Sequence, residues 1–199
     1  MKSEYGVRRS RKYFNTISDI FYNNYDKFNI AYEHHINGKK YIFTHAGVIP
    51  EYAIYLYNNI NKHDNTLSLN PFIKEELDKI EKQPEPELTN DIISIVYNAN
   101  FLNTLKNVKL QQYLWKIGYS RGGIDYIGSC IWADICDHLN SKNIYDSDIF
   151  KSHNIFQIFG HSYCKSEIIT DNFAMLDCKT PFMLDCKTGI LKKYNGKYS

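Results

Sequence analysis

At 199 residues the chain is long enough for one domain with a sizeable core. Its composition, 43% hydrophobic and 23% charged with 17 tyrosines and 11 phenylalanines, fits a soluble, well-packed mixed fold. A formal charge of +2 gives no electrostatic case for nucleic acid, and no apolar run approaches the length needed to cross a bilayer. Cys130, Cys136, Cys164, Cys178 and Cys186 lack close paired spacing, and no apolar h-region follows the basic start. Together these predict free thiols in a reducing, cytoplasmic setting.

The first dozen residues carry Lys2, Arg8, Arg9, Arg11 and Lys12 against Glu4 alone, while residues 74 to 91 are acid-rich. Solvated surfaces of opposite sign account for both. Residues 13 to 31 place Phe14, Ile17, Ile20, Phe21 and Phe28 at apolar positions, helix-like in their first half. Asn37-Gly38 predicts a tight turn into a strand, Tyr41-Ile42-Phe43-Thr44, that stops at His45-Ala46-Gly47. Pro50 then directs the chain out of the sheet.

From about 50 to 115 the chain reads as helical. Asn70-Pro71 is a helix start, a capping side chain followed by proline at the first helical position. Glu75 and Glu76 lie in its first turn, and Phe72, Ile73, Leu77 and Ile80 form the stripe to be buried. Gln83-Pro84-Glu85-Pro86 breaks it, and Ile92, Ile95, Val96, Ala99 and Leu102 mark a second helical segment. Such a block reads equally as an insertion covering a site, a cap, or ordinary helical packing.

After Gly118 come Tyr119-Ser120-Arg121-Gly122-Gly123 and Gly128-Ser129-Cys130-Ile131-Trp132-Ala133-Asp134. A second apolar strand, Phe156-Gln157-Ile158-Phe159, stops at Gly160-His161-Ser162. In the tail, Met-Leu-Asp-Cys-Lys-Thr occurs at 175 to 180 and again at 183 to 188, an offset of eight. That offset predicts two successive strands of an antiparallel meander with Cys178 and Cys186 at equivalent positions, and Thr188-Gly189 as the last turn.

Loops leaving the carboxyl ends of strands are where α/β sheets build their sites. Neutral imidazole held by a rigid strand end is a common ligand for divalent transition metals, which makes His45 and His161 candidates. His34, His35, His63, His138 and His153 stand in polar or helical surroundings and read as surface residues. Arg121, among glycines, could approach a phosphate closely and bind two of its oxygens, or serve a solvated turn. His161-x-x-Cys164 has no second ligand pair to complete a structural zinc site. No Gly-x-Ser-x-Gly, phosphate-binding lysine loop or Gly-x-Gly-x-x-Gly occurs.

Phe43-Thr44-His45-Ala46-Gly47-Val48, Ser120-Arg121-Gly122-Gly123 and Phe159-Gly160-His161-Ser162, in this order, resemble the later motifs of calcineurin-like metallophosphoesterases. The branch they resemble most holds the phosphoprotein phosphatases and diadenosine-tetraphosphatase-like enzymes, and the likeness spans about 30 to 190. The resemblance implies an α/β fold, the central and later part of a two-sheet α-β-β-α sandwich, beside the helical insertion at about 50–115 and the C-terminal meander read above. It implies His45 and His161 as ligands of one of two divalent ions (Mn, Fe or Zn), and Arg121 as a clamp on phosphate oxygen. In that family a hydroxide held by both metals attacks phosphorus in line.

The family's early motifs, Gly-Asp-x-His, Gly-Asp-x-x-Asp-Arg-Gly and Gly-Asn-His-Asp/Glu, do not occur here. Asp125 and Asp134, near Arg121, have no ligand role in the family pattern. The expectation is therefore a single incomplete domain over 1–199 with at most a partial metal site, inactive alone. Its alternative is a non-catalytic binding or regulatory module that keeps the fold. The implied partners are a phosphorylated substrate of open type and either the missing N-terminal segment or a second copy, because an incomplete sandwich exposes strand edges and an apolar face.

Overall fold

The computed structural model describes residues 16, 19–20, 23–63, 88–141 and 145–194, with no side chains described for 26 and 61–63. The basic start, most of the 13–22 helical stretch, the Asn70-Pro71 helix start and the Gln83–Pro86 break lie outside the described residues. Ile20 and Phe28, two of the apolar positions of 13–31, are exposed, and Tyr25–Lys27 forms a short 3-10 turn.

Strands β1 (Ala31–Ile36) and β2 (Lys39–Thr44) form a hairpin, with Ala31 opposite Thr44 and Ile36 opposite Lys39. Asn37 and Gly38 both take positive φ, 51° and 76°, the backbone that a two-residue hairpin loop demands. After β2 the chain turns and enters helix α1 (Pro50–His63), whose first residue is the proline, suited there because a first-turn N–H has no helical partner anyway. Helices α2 (Asn90–Val96) and α3 (Ala99–Thr104) follow, capped by the Thr89 hydroxyl on Ile92 N–H and by the Asn98 carbonyl on Asn100 and Phe101 N–H. Asn103 of α3 stitches this layer to the sheet. Its Oδ1 accepts from the N–H groups of Ile30 and Ala31, and its Nδ2 donates to Ala31 O.

Helices α4 (Ile135–Asn140) and α5 (Asp148–Ser152) lead to β3 (Ile155–Phe159). β3 runs parallel to β2, with Phe43 opposite Ile158. The short strands β4 (Ile168–Ile169) and β5 (Phe173–Met175) complete a five-stranded mixed sheet of order β1-β2-β3-β5-β4, in which β5 is parallel to β3 and antiparallel to β4. All of β3 is buried, as expected for a parallel strand covered on both faces.

One face packs Ile42, Phe159, Phe173 and Met175 against Tyr52, Leu56, Ile60, Ile93, Val96 and Leu102 of the helical layer. The other carries Tyr41, Phe156, Ile158 and Ala174, with Leu184 and Leu191 packed on it. The described helices of the 50–115 block thus contribute the main core. At roughly 1.5–3 kcal/mol for each large apolar side chain fully buried, that face supplies most of the burial.

The two copies of Met-Leu-Asp-Cys-Lys-Thr do not pair, which corrects the expected meander. Met175 of the first copy ends β5 inside the main sheet, whereas Met183 of the second lies in β6 (Phe182–Leu184), which pairs antiparallel with β7 (Leu191–Lys193) in a separate two-stranded sheet. Lys179 at φ 60° and Pro181 take the chain out of the sheet between them. Met175 and Cys178 are accordingly buried while Met183 and Cys186 are exposed. The small antiparallel element is present as β6–β7, and Gly189 at φ 73° closes it. All five cysteines are free thiols, and among the described residues no helix is long and apolar enough to cross a membrane.

Candidate functional site

Parallel pairing of β2 with β3 places their carboxyl ends at one edge of the sheet. The ladder continues one step beyond the strands, where Gly160 N–H donates to His45 O at 3.0 Å. His45 and His161 therefore leave the sheet side by side: His45 Nε2 lies 2.8 Å from His161 Nδ1, with the rings edge-on at 4.6 Å between centroids.

The backbone after His45 is held by a series of hydrogen bonds. Ala46 N–H donates to Cys130 O, Gly47 N–H to the Thr44 hydroxyl, and Val48 N–H to Gln157 Oε1. Ala46 O faces His138 Nε2 at 2.8 Å, and Val48 O accepts from Gln157 Nε2 and the Tyr97 hydroxyl. Gly47 sits at φ 81°, and a Cβ there would come within 2.5 Å of the His138 ring. No other residue satisfies both demands. The backbone is fixed while the His45 side chain is exposed.

His161 is built differently. At φ 73° it occupies the left-handed region, which costs a residue with a side chain about 1–2 kcal/mol. Ser162 N–H bonds back to Gly160 O at 2.9 Å, which with that φ makes His161 the apex of a strained three-residue γ-turn. Arg121 holds this turn: its Nη2 donates to His161 O at 2.9 Å and to Ser162 Oγ at 2.7 Å. The Ser162 hydroxyl is saturated, accepting also from Ile135 N–H and donating to Asp134 Oδ2.

Asp134 begins α4 as one half of a capping box with Asp137, and its Oδ2 lies 2.9 Å from Arg121 Nε. That nitrogen is nevertheless without an aligned hydrogen bond, so the contact is an ion pair by proximity. Partial burial works to raise the Asp134 carboxyl. The Cys136 N–H and thiol, the Arg121 charge and the Ser162 hydroxyl outweigh it and hold the group below the usual carboxylate range.

The three motifs expected to form the site thus meet. Arg121, however, spends one edge of its guanidinium on Asp134, Ser162 and the His161 carbonyl, and its Nη1 has no partner among the described residues. Asp125 points elsewhere, paired with Lys116 at 2.6 Å.

Two imidazoles with facing nitrogens, one of them kept neutral, are chemically suited to a divalent cation. Burial, then the Arg121 and His45 charges, push the His161 pKa down and favour the neutral ring. Nitrogens sharing one cation at about 2.0–2.1 Å each would stand roughly 3.3 Å apart, a small opening of the present 2.8 Å contact. Three buried polar atoms lie on or against His161 without a hydrogen-bond partner: its own Nε2, Trp132 Nε1 and Arg121 Nε. The Trp132 ring stands edge-on to His161 at 5.7 Å. Trp132 Nε1 and Arg121 Nε carry N–H groups and can only donate, so an acceptor such as water or a phosphate oxygen, not the cation itself, would satisfy them. Among the described residues no group of three or more His, Cys, Asp and Glu side chains is placed to hold a metal.

His138, read from sequence as a surface residue, is wholly buried. Its position three residues after Ile135 puts both on one helix face, a signal that its polarity masked. His34, His35 and His153 are at least partly exposed, and no side chain is described for His63. Gln157 was readable too: one amide inside an otherwise apolar strand must find buried partners. Comparison with protein-family models, with curated proteins and with solved structures finds no match to this chain.

Proposed function

We propose that the chain carries part of a metal-dependent phosphoesterase centre of the calcineurin-like kind, and that its five-stranded sheet with the helical layer belongs to a two-sheet α-β-β-α sandwich. The observation that carries this reading is the approach of His45 Nε2 to His161 Nδ1, 2.8 Å between residues 116 apart in the chain, with Arg121 bound to the same turn. A bound Mn, Fe or Zn ion would supply Lewis acidity toward a phosphoryl oxygen. His45 and His161 would hold it as neutral donors, and Arg121 would keep the His161 turn in place while offering Nη1 to phosphate oxygen.

The carboxylate motifs that complete such centres do not occur in this sequence. We therefore propose that the chain is inactive alone and that carboxylate ligands come from another segment or chain, in a cytoplasmic setting. A second reading, a non-catalytic module that keeps the fold, is favoured by one observation: Arg121 already has His161 O, Ser162 and Asp134 along its Nε–Nη2 edge.

Calorimetric titration of the full chain with Mn2+ or Zn2+ alone tests the site. Binding that is lost in both His45→Ala and His161→Ala is expected, and its absence in the parent would remove the metal reading. With p-nitrophenyl phosphate and Mn2+ the parent is expected to give no turnover. Robust turnover abolished by His45→Ala would overturn the claim of inactivity and leave a complete enzyme.

A further inference from the structure

Behind the His45 segment lies a buried polar cluster that the proposed chemistry does not use: His138, Tyr145 and Gln157, all fully or almost fully buried. Its proton assignments follow from the partners. Ala46 O can only accept, so His138 Nε2 carries the proton and Nδ1 is an acceptor facing the Tyr145 hydroxyl, 2.9 Å away; that hydroxyl has Val48 O, 3.1 Å away, as a second acceptor for its one proton. The Tyr145 oxygen in turn accepts from Gln157 Nε2 at 3.1 Å, and the other Gln157 N–H donates to Val48 O at 3.0 Å. One face of the ring stacks on Phe159 at 4.3 Å, while the Tyr145 ring lies nearly parallel to it with centroids 6.2 Å apart. It fills the space that Gly47 leaves by lacking a Cβ.

We infer that His138 is a positioning residue for His45: its Nε2–H bond to Ala46 O, with its ring against Gly47, sets the direction in which the neighbouring His45 imidazole meets His161. Among the described residues the His45 ring has one side-chain hydrogen-bond partner, His161. Its aim is therefore decided by the backbone from 45 to 48, and His138 is the side chain that holds the middle of that segment from α4. The metal part of this inference rests on the reading proposed above, whereas the geometric part does not.

The test uses the full chain with Co2+ alone and four substitutions. His138→Gln can return an N–H to Ala46 O. His138→Phe keeps the ring volume without the bond. His138→Asn is too short to reach Ala46 O and serves as the second loss-of-contact variant should Phe not fold. Tyr145→Phe removes the hydroxyl from both Nδ1 and Val48 O, which keeps its bonds from Gln157 Nε2 and the Tyr97 hydroxyl, and leaves the Ala46 bond intact.

Supporting residues of this kind change metal affinity by about 10–100-fold. The expectation is a loss of at least 10-fold for Phe and Asn, with near-parent affinity for Gln and for Tyr145→Phe, whatever their stabilities. Long-range 1H–15N spectra without metal supply the independent readout. The His45–His161 N–H correlation should persist in Gln and Tyr145→Phe and vanish in Phe and Asn. An unchanged correlation in Phe or Asn overturns the positioning role, as does a loss that tracks stability across all four variants. Failure of the parent to bind cobalt would remove the metal reading instead, with the spectra still deciding His138.

Discussion

The Ala46–Val48 turn separates two clusters of polar side chains that differ in how completely they are paired. Behind it, His138, Tyr145 and Gln157 satisfy one another and the turn's backbone. In front of it, at the sheet edge, His161 Nε2 and Trp132 Nε1 are buried without hydrogen-bond partners, Arg121 Nε meets Asp134 as an ion pair without an aligned hydrogen bond, and His161 holds a strained backbone. A buried network with every member satisfied rigidifies and specifies a structure. Orphaned atoms and strain at one place are what a chain tolerates where something else is to be bound. The same residue type, histidine, serves opposite ends in the two clusters.

The comparison breaks most easily at Gln157. Replacing it with alanine removes three hydrogen bonds and leaves the buried Val48 N–H without an acceptor. We expect a loss of about 3 kcal/mol or more, read as a lower urea midpoint at unchanged slope. His45→Ala at the exposed edge should move the same midpoint by no more than about 0.5 kcal/mol. Equal effects would mean that the two clusters are not energetically distinct.

Acid sharpens the contrast. Burial pushes the His138 pKa down to about 4, against opposing contributions from the Ala46 carbonyl bond and the Asp134 charge. The unfolded chain takes up this proton near pH 6.5 and the folded chain only near pH 4. His138 is thus neutral in both states above the first value, and stability falls as the pH drops from about 6.5 to about 4, by about 3 kcal/mol in all. Asp134 is the charged group nearby, and its lowered carboxyl keeps it ionised through this window. Urea midpoints measured at pH 7 and pH 4 in the parent and in His138→Gln should show a smaller acid loss in the variant. An equal loss would assign the sensitivity elsewhere.

Much of the candidate site was legible because parallel strands bring their carboxyl ends together. Two apolar runs ending in histidine therefore already implied His45 beside His161, and Asn37-Gly38 and Pro50 mark their turn and helix start as they should. What stayed hidden depends on environment rather than local pattern. His138 and His153 both look like polar helical residues, and only the packing of α4 against Gly47 buries the first. The two Met-Leu-Asp-Cys-Lys-Thr copies are identical in sequence, yet one borders a central strand and the other an outlying hairpin. Asp134 had a readable role, a cap three residues before Asp137, but its pairing with Arg121 and Ser162 needs the fold. The left-handed backbone of His161 has no local signature, since glycine precedes it and the chain could have turned there.

That last feature yields the smallest effect and the cleanest one. Glycine normally costs about 0.5–1 kcal/mol relative to alanine within an element, because it loses more chain entropy on folding. At φ 73° the order should reverse. His161→Ala and His161→Gly both delete the ring, its contact with His45 and its edge against Trp132, so the difference between them reads the backbone alone. We expect Gly to exceed Ala by about 1 kcal/mol, measured by urea denaturation of both variants without metal. An alanine variant as stable as the glycine one would mean that the turn relaxes once the imidazole is gone. The strain would then belong to the side chain's own contacts rather than to a backbone held in place by the surrounding fold.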